Sequence, residues 1–101
     1  MGQRLDLHEI LCATLGSRNV YYQPPEGFKL SYPCIVYERE KIESNHANNK
    51  PYLHRNRYSV TVIDRDPESP IPNKIAAYPT SRFVDSFVSD NLHHDVFTVY
   101  Y

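Results

Sequence analysis

The chain has no tryptophan, only three glycines and only two cysteines among its 101 residues. Glycines scattered at Gly2, Gly16 and Gly27 exclude a glycine-rich loop that could cradle a phosphate. Cys12 and Cys34 lie in apolar segments and lack the C-x-x-C spacing of a zinc or redox site. The sequence therefore predicts that both cysteines are buried, reduced thiols of a cytosolic product.

The chain also lacks an excess of charge of either sign. Its 11 basic and 12 acidic residues give a formal net charge of -1. Nucleic-acid-binding proteins usually carry a basic face, so this balance disfavours extensive phosphate binding. No apolar run approaches the length of a membrane span, so we expect no membrane partner. The length predicts one domain, residues 1–101.

Tyrosine, in contrast, is abundant, with nine residues. A tyrosine combines a large apolar ring with a polar hydroxyl, which suits surfaces that become buried only on assembly. Four tyrosines in strand-like segments are candidate anchors of such an interface: Tyr21, Tyr22, Tyr37 and Tyr100.

Two strand-like segments, residues 32–37 and 57–64, flank a polar insert at residues 43–51. The second segment alternates apolar and polar residues, as in a strand with one buried face. The first is apolar on both faces, because Cys34 and Val36 point one way while Ile35 and Tyr37 point the other. It is either buried on both sides or has one face against another chain. We expect a long antiparallel hairpin with a projecting arm around residues 40–56.

The remaining elements follow from local patterns. Apolar residues at helical spacing predict a helix over residues 4–15, capped by Gly16 in a left-handed conformation. Residues 19–23 predict a short strand that ends at Pro24-Pro25. A short second helix is predicted from Ile71, Ile75 and Tyr78, with Asp66 and Ser69 as candidate caps and Pro79 as its end. Residues 82–90 and 95–101 predict two strands, separated by residues 91–94.

The order α-β-β-β-α-β-β indicates an α+β domain. We expect an antiparallel sheet of about four to five strands, with the N-terminal helix and the short helix packed on one face.

Three groups of residues could carry chemistry. His8 and Cys12 are four residues apart on the predicted helix, and His93-His94 lie in a predicted turn, but neither pattern has metal-site spacing. Asp64, Asp66 and Glu68 resemble a carboxylate cluster, although a turn leading into a helix accounts for them better because the glycine of a calcium loop is missing. Cys34 would act as a nucleophile only with a nearby histidine and a lowered pKa, and the sequence indicates neither.

The outer half of the hairpin carries a small basic cluster interleaved with two tyrosines: Lys50, Tyr52, His54, Arg55, Arg57 and Tyr58. Three interpretations are open. The cluster could bind nucleic acid. It could pair with Glu38, Glu40 and Glu43 on the partner strand, which is the interpretation we favour over nucleic-acid binding. It could also contact a neighbouring subunit, because long polar loops are usually functional or mobile.

Several segments resemble the small tail-terminator and tail-completion proteins of long-tailed bacteriophages, which act where the tail tube meets the head connector. The resemblance covers nearly the whole chain and is carried by Gly16, Pro24-Pro25 and residues 32–37, 47–49, 52, 58–67 and 90–97. It implies an α+β subunit that forms a hexameric ring on the last ring of the tail tube. Such a ring ends tube polymerisation and offers a docking face to the head. The polar arm would contact neighbouring subunits or tube proteins.

We therefore expect a non-enzymatic virion protein at the head-proximal end of the tail, assembled in the bacterial cytoplasm. Its partners would be further copies of itself, the tail-tube protein and the connector proteins, with no cofactor, no metal and no specific nucleic acid. The expected interface residues are Tyr52, His54, Arg55 and Arg57 on the arm, with the four candidate tyrosines.

Three alternatives remain. The chain could be a head-side completion or stopper protein of the connector. It could be a small nucleic-acid-binding regulator that uses the basic arm. The third is a metal-dependent hydrolase built on Asp64, Asp66 and the His93-His94 pair.

Overall fold

The computed structural model describes residues 3–43 and 55–101. For residues 3, 41–43, 55 and 56 only the backbone is described. The elements, in chain order, are α1 (Gln3–Leu15), β1 (Val20–Tyr22), β2 (Cys34–Glu43), β3 (Arg55–Asp64), α2 (Ile71–Ala76), β4 (Ser81–Ser89) and β5 (Leu92–Tyr100). The α+β class and the order of elements predicted from the sequence are confirmed.

The sheet has five strands in the order β1-β2-β3-β5-β4. The pairs β2–β3, β3–β5 and β4–β5 are antiparallel, as expected. The pair β1–β2 is parallel, so the sheet is mixed and the wholly antiparallel expectation is wrong at this one strand. Residues 23–33 provide the long connection that two parallel neighbours require.

The residues that the sequence offered as helix-terminus signals lie at the end of α1 and just before α2. Gly16 has φ +84 and its amide donates to the Cys12 carbonyl at 2.8 Å, which is the left-handed cap predicted for α1. The N-cap of α2 is Pro70, with no side-chain capping bond, so the prediction of Asp66 or Ser69 as the cap is wrong. The Ser69 hydroxyl, one residue before the N-cap, accepts a hydrogen bond from the Ile71 amide at 3.3 Å, as in a serine turn. Neither helix of the described residues is long and apolar enough to cross a membrane.

Both helices pack on the same face of the sheet. The core cluster joins Leu7 and Leu11 of α1 and Ile71 and Ile75 of α2 to alternate residues of the strands. The strand members of this cluster are Val20, Ile35, Tyr37, Tyr58, Val60, Val62, Phe97 and Val99. We call the opposite surface of the sheet the open face.

The β4–β5 hairpin differs from the expected boundaries. Its turn is the dipeptide Asp90-Asn91, and Leu92 already pairs with Ser89. Asp90 and Asn91 have φ values of 53 and 63, the pair of positive values found in a type I′ turn. His93 and His94 therefore lie in β5 and not in a turn, and the expectation for residues 91–94 is corrected.

Candidate assembly surface

Only part of the predicted arm lies in the described residues. Tyr52 and His54 lie outside them, as does Lys50, and Arg55 is described as the first backbone position of β3. Arg57 is described fully. Its Nε lies 3.0 Å from Oε1 of Glu40 on β2, and each side chain is about one-third exposed, at 33% and 34%. The expected pairing of the basic cluster with carboxylates of the neighbouring strand is thus present at Arg57.

Tyr37 does not have the interfacial position expected from the sequence. Its side chain is 0% exposed and belongs to the core cluster, so it offers no surface to another subunit. The Arg4 guanidinium donates to the Tyr37 hydroxyl at 3.3 Å, and His8 Nδ1 lies 2.8 Å from the same oxygen. Burial raises the pKa of Tyr37, which keeps the phenol protonated. This expectation is corrected: Tyr37 joins α1 to β2.

Tyr22 lies on the same side of the sheet and is half-buried against the core. Its ring centroid is 4.9 Å from that of Tyr37, and the Arg4 guanidinium carbon lies 4.3 Å from its centroid. A cation this close to a ring face is attracted by the ring quadrupole. Tyr22 is therefore engaged with its own chain and exposes only part of its ring.

Tyr21 and Tyr100 lie on the open face. Tyr21 is the register partner of Val36, and Tyr100 is the register partner of Arg57. Both tyrosines are half-buried. Tyr21 contacts Phe28 edge to face with ring centroids 5.3 Å apart, while Phe28 remains 48% exposed. The structure thus leaves these two candidate anchors accessible to a partner.

The open face is less polar than an ordinary solvent-facing sheet surface. Cys34 and Ile63 are buried there, and they face each other across the β2–β3 ladder. Val36 and Val96 flank Thr61 across three neighbouring strands, and all three residues are half-buried. Neither of the two described helices contributes to this face, because both belong to the cluster on the other side. Apolar and aromatic groups on such a face are typical of a surface that becomes covered on assembly.

The position of strand β4 in the sheet is a feature that the sequence did not predict. It forms one edge of the sheet, and every residue from Arg82 to Asp90 is exposed. The sequence signal was the imperfect alternation of this segment, which places apolar residues at both odd and even positions. A strand with apolar residues on both faces can be a central strand or an edge strand that is prone to pair with another chain, and its position in the sheet decides between them.

The groups considered for catalysis are mostly engaged in local structure. The Asp64 carboxylate accepts a hydrogen bond from the Asp66 amide at 3.0 Å, and the Asp66 carboxylate accepts one from the Glu68 amide at 2.9 Å. This is the turn interpretation favoured from the sequence. Asp64 is also the register partner of His93, so the fold brings these two residues of the hydrolase alternative side by side.

His94 points away from that pair. It follows His93 in β5, so its side chain lies on the other face of the sheet. Its ring stacks on Phe87 with centroids 4.7 Å apart and an interplanar angle of 9°, and its Nδ1 lies 3.1 Å from the Leu92 carbonyl oxygen. Within residues 3–43 and 55–101, no three His, Cys, Asp or Glu side chains gather into a metal-binding group.

The two cysteines are buried, as the sequence predicted. Burial, with a smaller contribution from the Asp64 carboxylate, raises the pKa of the Cys34 thiol to about 11. Burial also raises the pKa of Cys12. A thiol with a raised pKa has little thiolate at neutral pH, so the electrostatics of Cys34 oppose the nucleophile hypothesis.

One apolar pocket lies between α1 and α2 above the sheet, with a volume of about 260 Å³. Its walls are mainly Leu7, Leu11, Ile75, Tyr78 and Val99, with Lys74 at the side. The lining has no carboxylate, histidine or cysteine, so it fits an apolar group rather than a reacting one.

Comparison of the chain with protein-family models, with curated proteins and with solved structures finds no match.

Proposed function

We propose that the chain is a non-enzymatic subunit of a phage virion, which assembles as a hexameric ring at the head-proximal end of the tail. The ring ends polymerisation of the tail tube and forms the joining surface for the head connector. The observation that carries this proposal is the open face of the sheet, which presents the half-buried Tyr21 and Tyr100 and the exposed Phe28.

The two faces of the sheet are covered to different extents. The core cluster uses one set of alternate strand residues, and the other set includes Val36, Thr61 and Val96, which keep partial exposure. A partner that covers this face removes apolar area from water, which stabilises association by roughly 25 cal/mol per Å² before the costs of binding. Stacked rings of a tail offer such a partner, since each subunit is covered by neighbours on several sides.

The resemblance supplies the particular assembly. Its segments include residues 32–37 and 58–67, which fall largely on β2 and β3, and residues 90–97, which fall on the final hairpin. These are the strands that build the centre of the sheet. The open face and the tail-terminator resemblance therefore concern the same part of the molecule.

The test is a capping assay with the purified chain and a self-assembling tail-tube protein, read by light scattering and negative-stain imaging. We expect a ring at tube ends and tubes that stop growing once the chain is added. Tyr21→Lys should remain folded and lose capping, because the lysine places a charge on the open face. Leu5→Lys is the matched control, since Leu5 is 57% exposed on α1, on the opposite side of the sheet.

Three outcomes would overturn the proposal in different directions. A chain that ignores tubes and binds only purified connector would be a head-side completion protein. Salt-sensitive DNA binding without tube capping would favour the nucleic-acid-binding alternative. Equal capping of tubes by Tyr21→Lys and by the parent chain would show that the open face is not the assembly surface.

A further inference from the structure

The pocket between α1 and α2 has an apolar inner wall that belongs to the core. Leu7 and Leu11 of α1, Ile75 of α2 and Val99 of β5 line it and are all buried. Its volume is about 260 Å³. A cavity of roughly 150 Å³ with walls of this kind holds a benzene molecule, so the pocket has room for about ten carbon atoms.

Polar groups on the pocket walls are already bonded within the chain. The Thr14 hydroxyl donates to the Ile10 carbonyl at 2.9 Å. The Ala77 amide donates to the Asn73 carbonyl at 3.1 Å, and Pro79 has no N–H to offer. A polar group of a ligand placed against these walls would leave water without gaining these partners. The inner part of the pocket therefore fits hydrocarbon.

Lys74 of α2 lies where the pocket meets solvent, because it lines the pocket and is exposed. Among the lining residues in the described part of the chain, it is the one charged side chain. Within residues 3–43 and 55–101, no carboxylate forms an ion pair with its ammonium group. This ammonium attracts an anionic head group and repels a cationic one. The pocket thus combines a hydrocarbon interior with a positive rim.

We propose that this pocket binds a small amphiphilic carboxylate, with its hydrocarbon part between α1 and α2 and its carboxylate beside Lys74. The class comprises alkyl and aryl-alkyl carboxylates of about ten carbon atoms. A wholly polar molecule gains no partners on the inner walls, and an amphiphilic amine is opposed by Lys74. The bound molecule contacts both helices and β5, so it stabilises the packing of the helices on the sheet.

This site is separate from the surface proposed for assembly. The pocket lies on the side of the sheet that carries both helices, whereas Tyr21 and Tyr100 lie on the open face. Binding of the carboxylate can therefore be measured on the purified chain without any tube protein. Failure of this inference leaves the ring proposal untouched, and failure of capping leaves the pocket untouched.

Three eight-carbon probes that differ in the head group test the charge preference: octanoate, 1-octanol and octylamine. Calorimetry at pH 7, below micelle-forming concentrations, should give the tightest binding for octanoate and the weakest for octylamine. We expect octanoate to exceed 1-octanol by roughly threefold to fivefold, the range of a partly exposed ion pair. Lys74→Gln should bind octanoate and 1-octanol alike. Lys29→Gln is the matched control, an exposed lysine outside the pocket, and should keep the preference.

A second pair of variants tests the location. Ala77→Phe places a ring at the pocket and should weaken octanoate binding at least about tenfold, because the ring takes up the volume that the probe needs. Ala13→Phe is the matched control, since Ala13 is also exposed but lies on α1 outside this pocket. In methyl NMR spectra octanoate should shift the signals of Leu11 and Val99 and leave that of Val36 on the open face unchanged. Circular dichroism establishes that each variant is folded.

Two results would overturn the inference. One is that octanoate binds the folded parent chain no more tightly than octylamine does, which includes the absence of binding. The other is that octanoate shifts the methyl signals of Val36 and Val96 instead of those of Leu11 and Val99, which would place the probe on the open face.

Discussion

Nδ1 of His8 on α1 lies 2.8 Å from the hydroxyl oxygen of Tyr37 on β2. Burial, followed by the nearby charges of Arg18 and Arg4, lowers the pKa of His8 from its ordinary value of 6.5, which favours a neutral imidazole that shares a hydrogen bond with the phenol. Arg4 donates to the same phenol oxygen. The sequence had suggested His8 as a weak metal-ligand candidate and Tyr37 as an interface anchor, and the fold uses both to join a helix to the sheet.

Removing the Tyr37 hydroxyl tests this connection. Tyr37→Phe keeps the ring in the core but removes the acceptor of Arg4 and the hydrogen bond with His8. We expect the free energy of unfolding to fall by about 1 kcal/mol, the usual net contribution of a buried hydrogen bond. Urea denaturation measures it, with Tyr22→Phe as the control because Tyr22 touches the same cluster through its ring. Equal losses in the two variants would contradict the specific role of the Tyr37 hydroxyl.

The lowered pKa of His8 predicts a pH dependence of stability. Between the folded pKa and 6.5 the unfolded chain binds more protons at His8 than the folded chain does, so stability rises with pH in this window. The contribution is fully present above pH 6.5 and is lost as the pH falls toward the folded pKa. His8→Gln should flatten this part of the profile, measured by thermal unfolding in a pH series. A profile that keeps the slope of the parent chain would contradict the assignment.

The buried cysteines predict slow thiol chemistry. At pH 8 a thiol reagent should modify neither Cys12 nor Cys34 in the folded chain, since both are buried and both have raised pKa values. Both should react at once in denaturant. The exposed thiol of Ser89→Cys is the internal control and should react rapidly in the folded chain. Fast modification of Cys34 in the parent chain would revive the nucleophile hypothesis.

Substitutions in the ion pair of Arg57 with Glu40 distinguish a role of Arg57 within its own hairpin from a role at a subunit interface. Arg57→Glu should lower the free energy of unfolding by roughly 0.5–1 kcal/mol, because two carboxylates then face each other on a partly exposed surface. The exchange Glu40→Arg/Arg57→Glu should restore stability. If Arg57 also contacts a neighbouring subunit, the exchanged variant will be stable and still defective in ring formation. Full recovery of assembly would limit Arg57 to its own hairpin.

Local patterns predicted most of the elements, because they depend on neighbours a few residues apart. Helical spacing gave α1 and α2, Gly16 gave the end of α1, and alternation gave β3. The dipeptide Asp90-Asn91 is also a turn signal, because aspartate and asparagine tolerate positive φ. The sequence analysis predicts a longer turn at residues 91–94 instead. That error was local and could have been avoided from the sequence.

The sequence by itself therefore determined which residues form helices and strands and which strand faces are apolar. Tertiary structure alone decided that β1 runs parallel to β2, that Tyr37 is covered by α1, and that β4 lies at the edge of the sheet. The physical reason is that strand order and layer packing depend on contacts between residues far apart in the chain. An apolar strand shows the same alternation whether its second side meets the core, another chain or water.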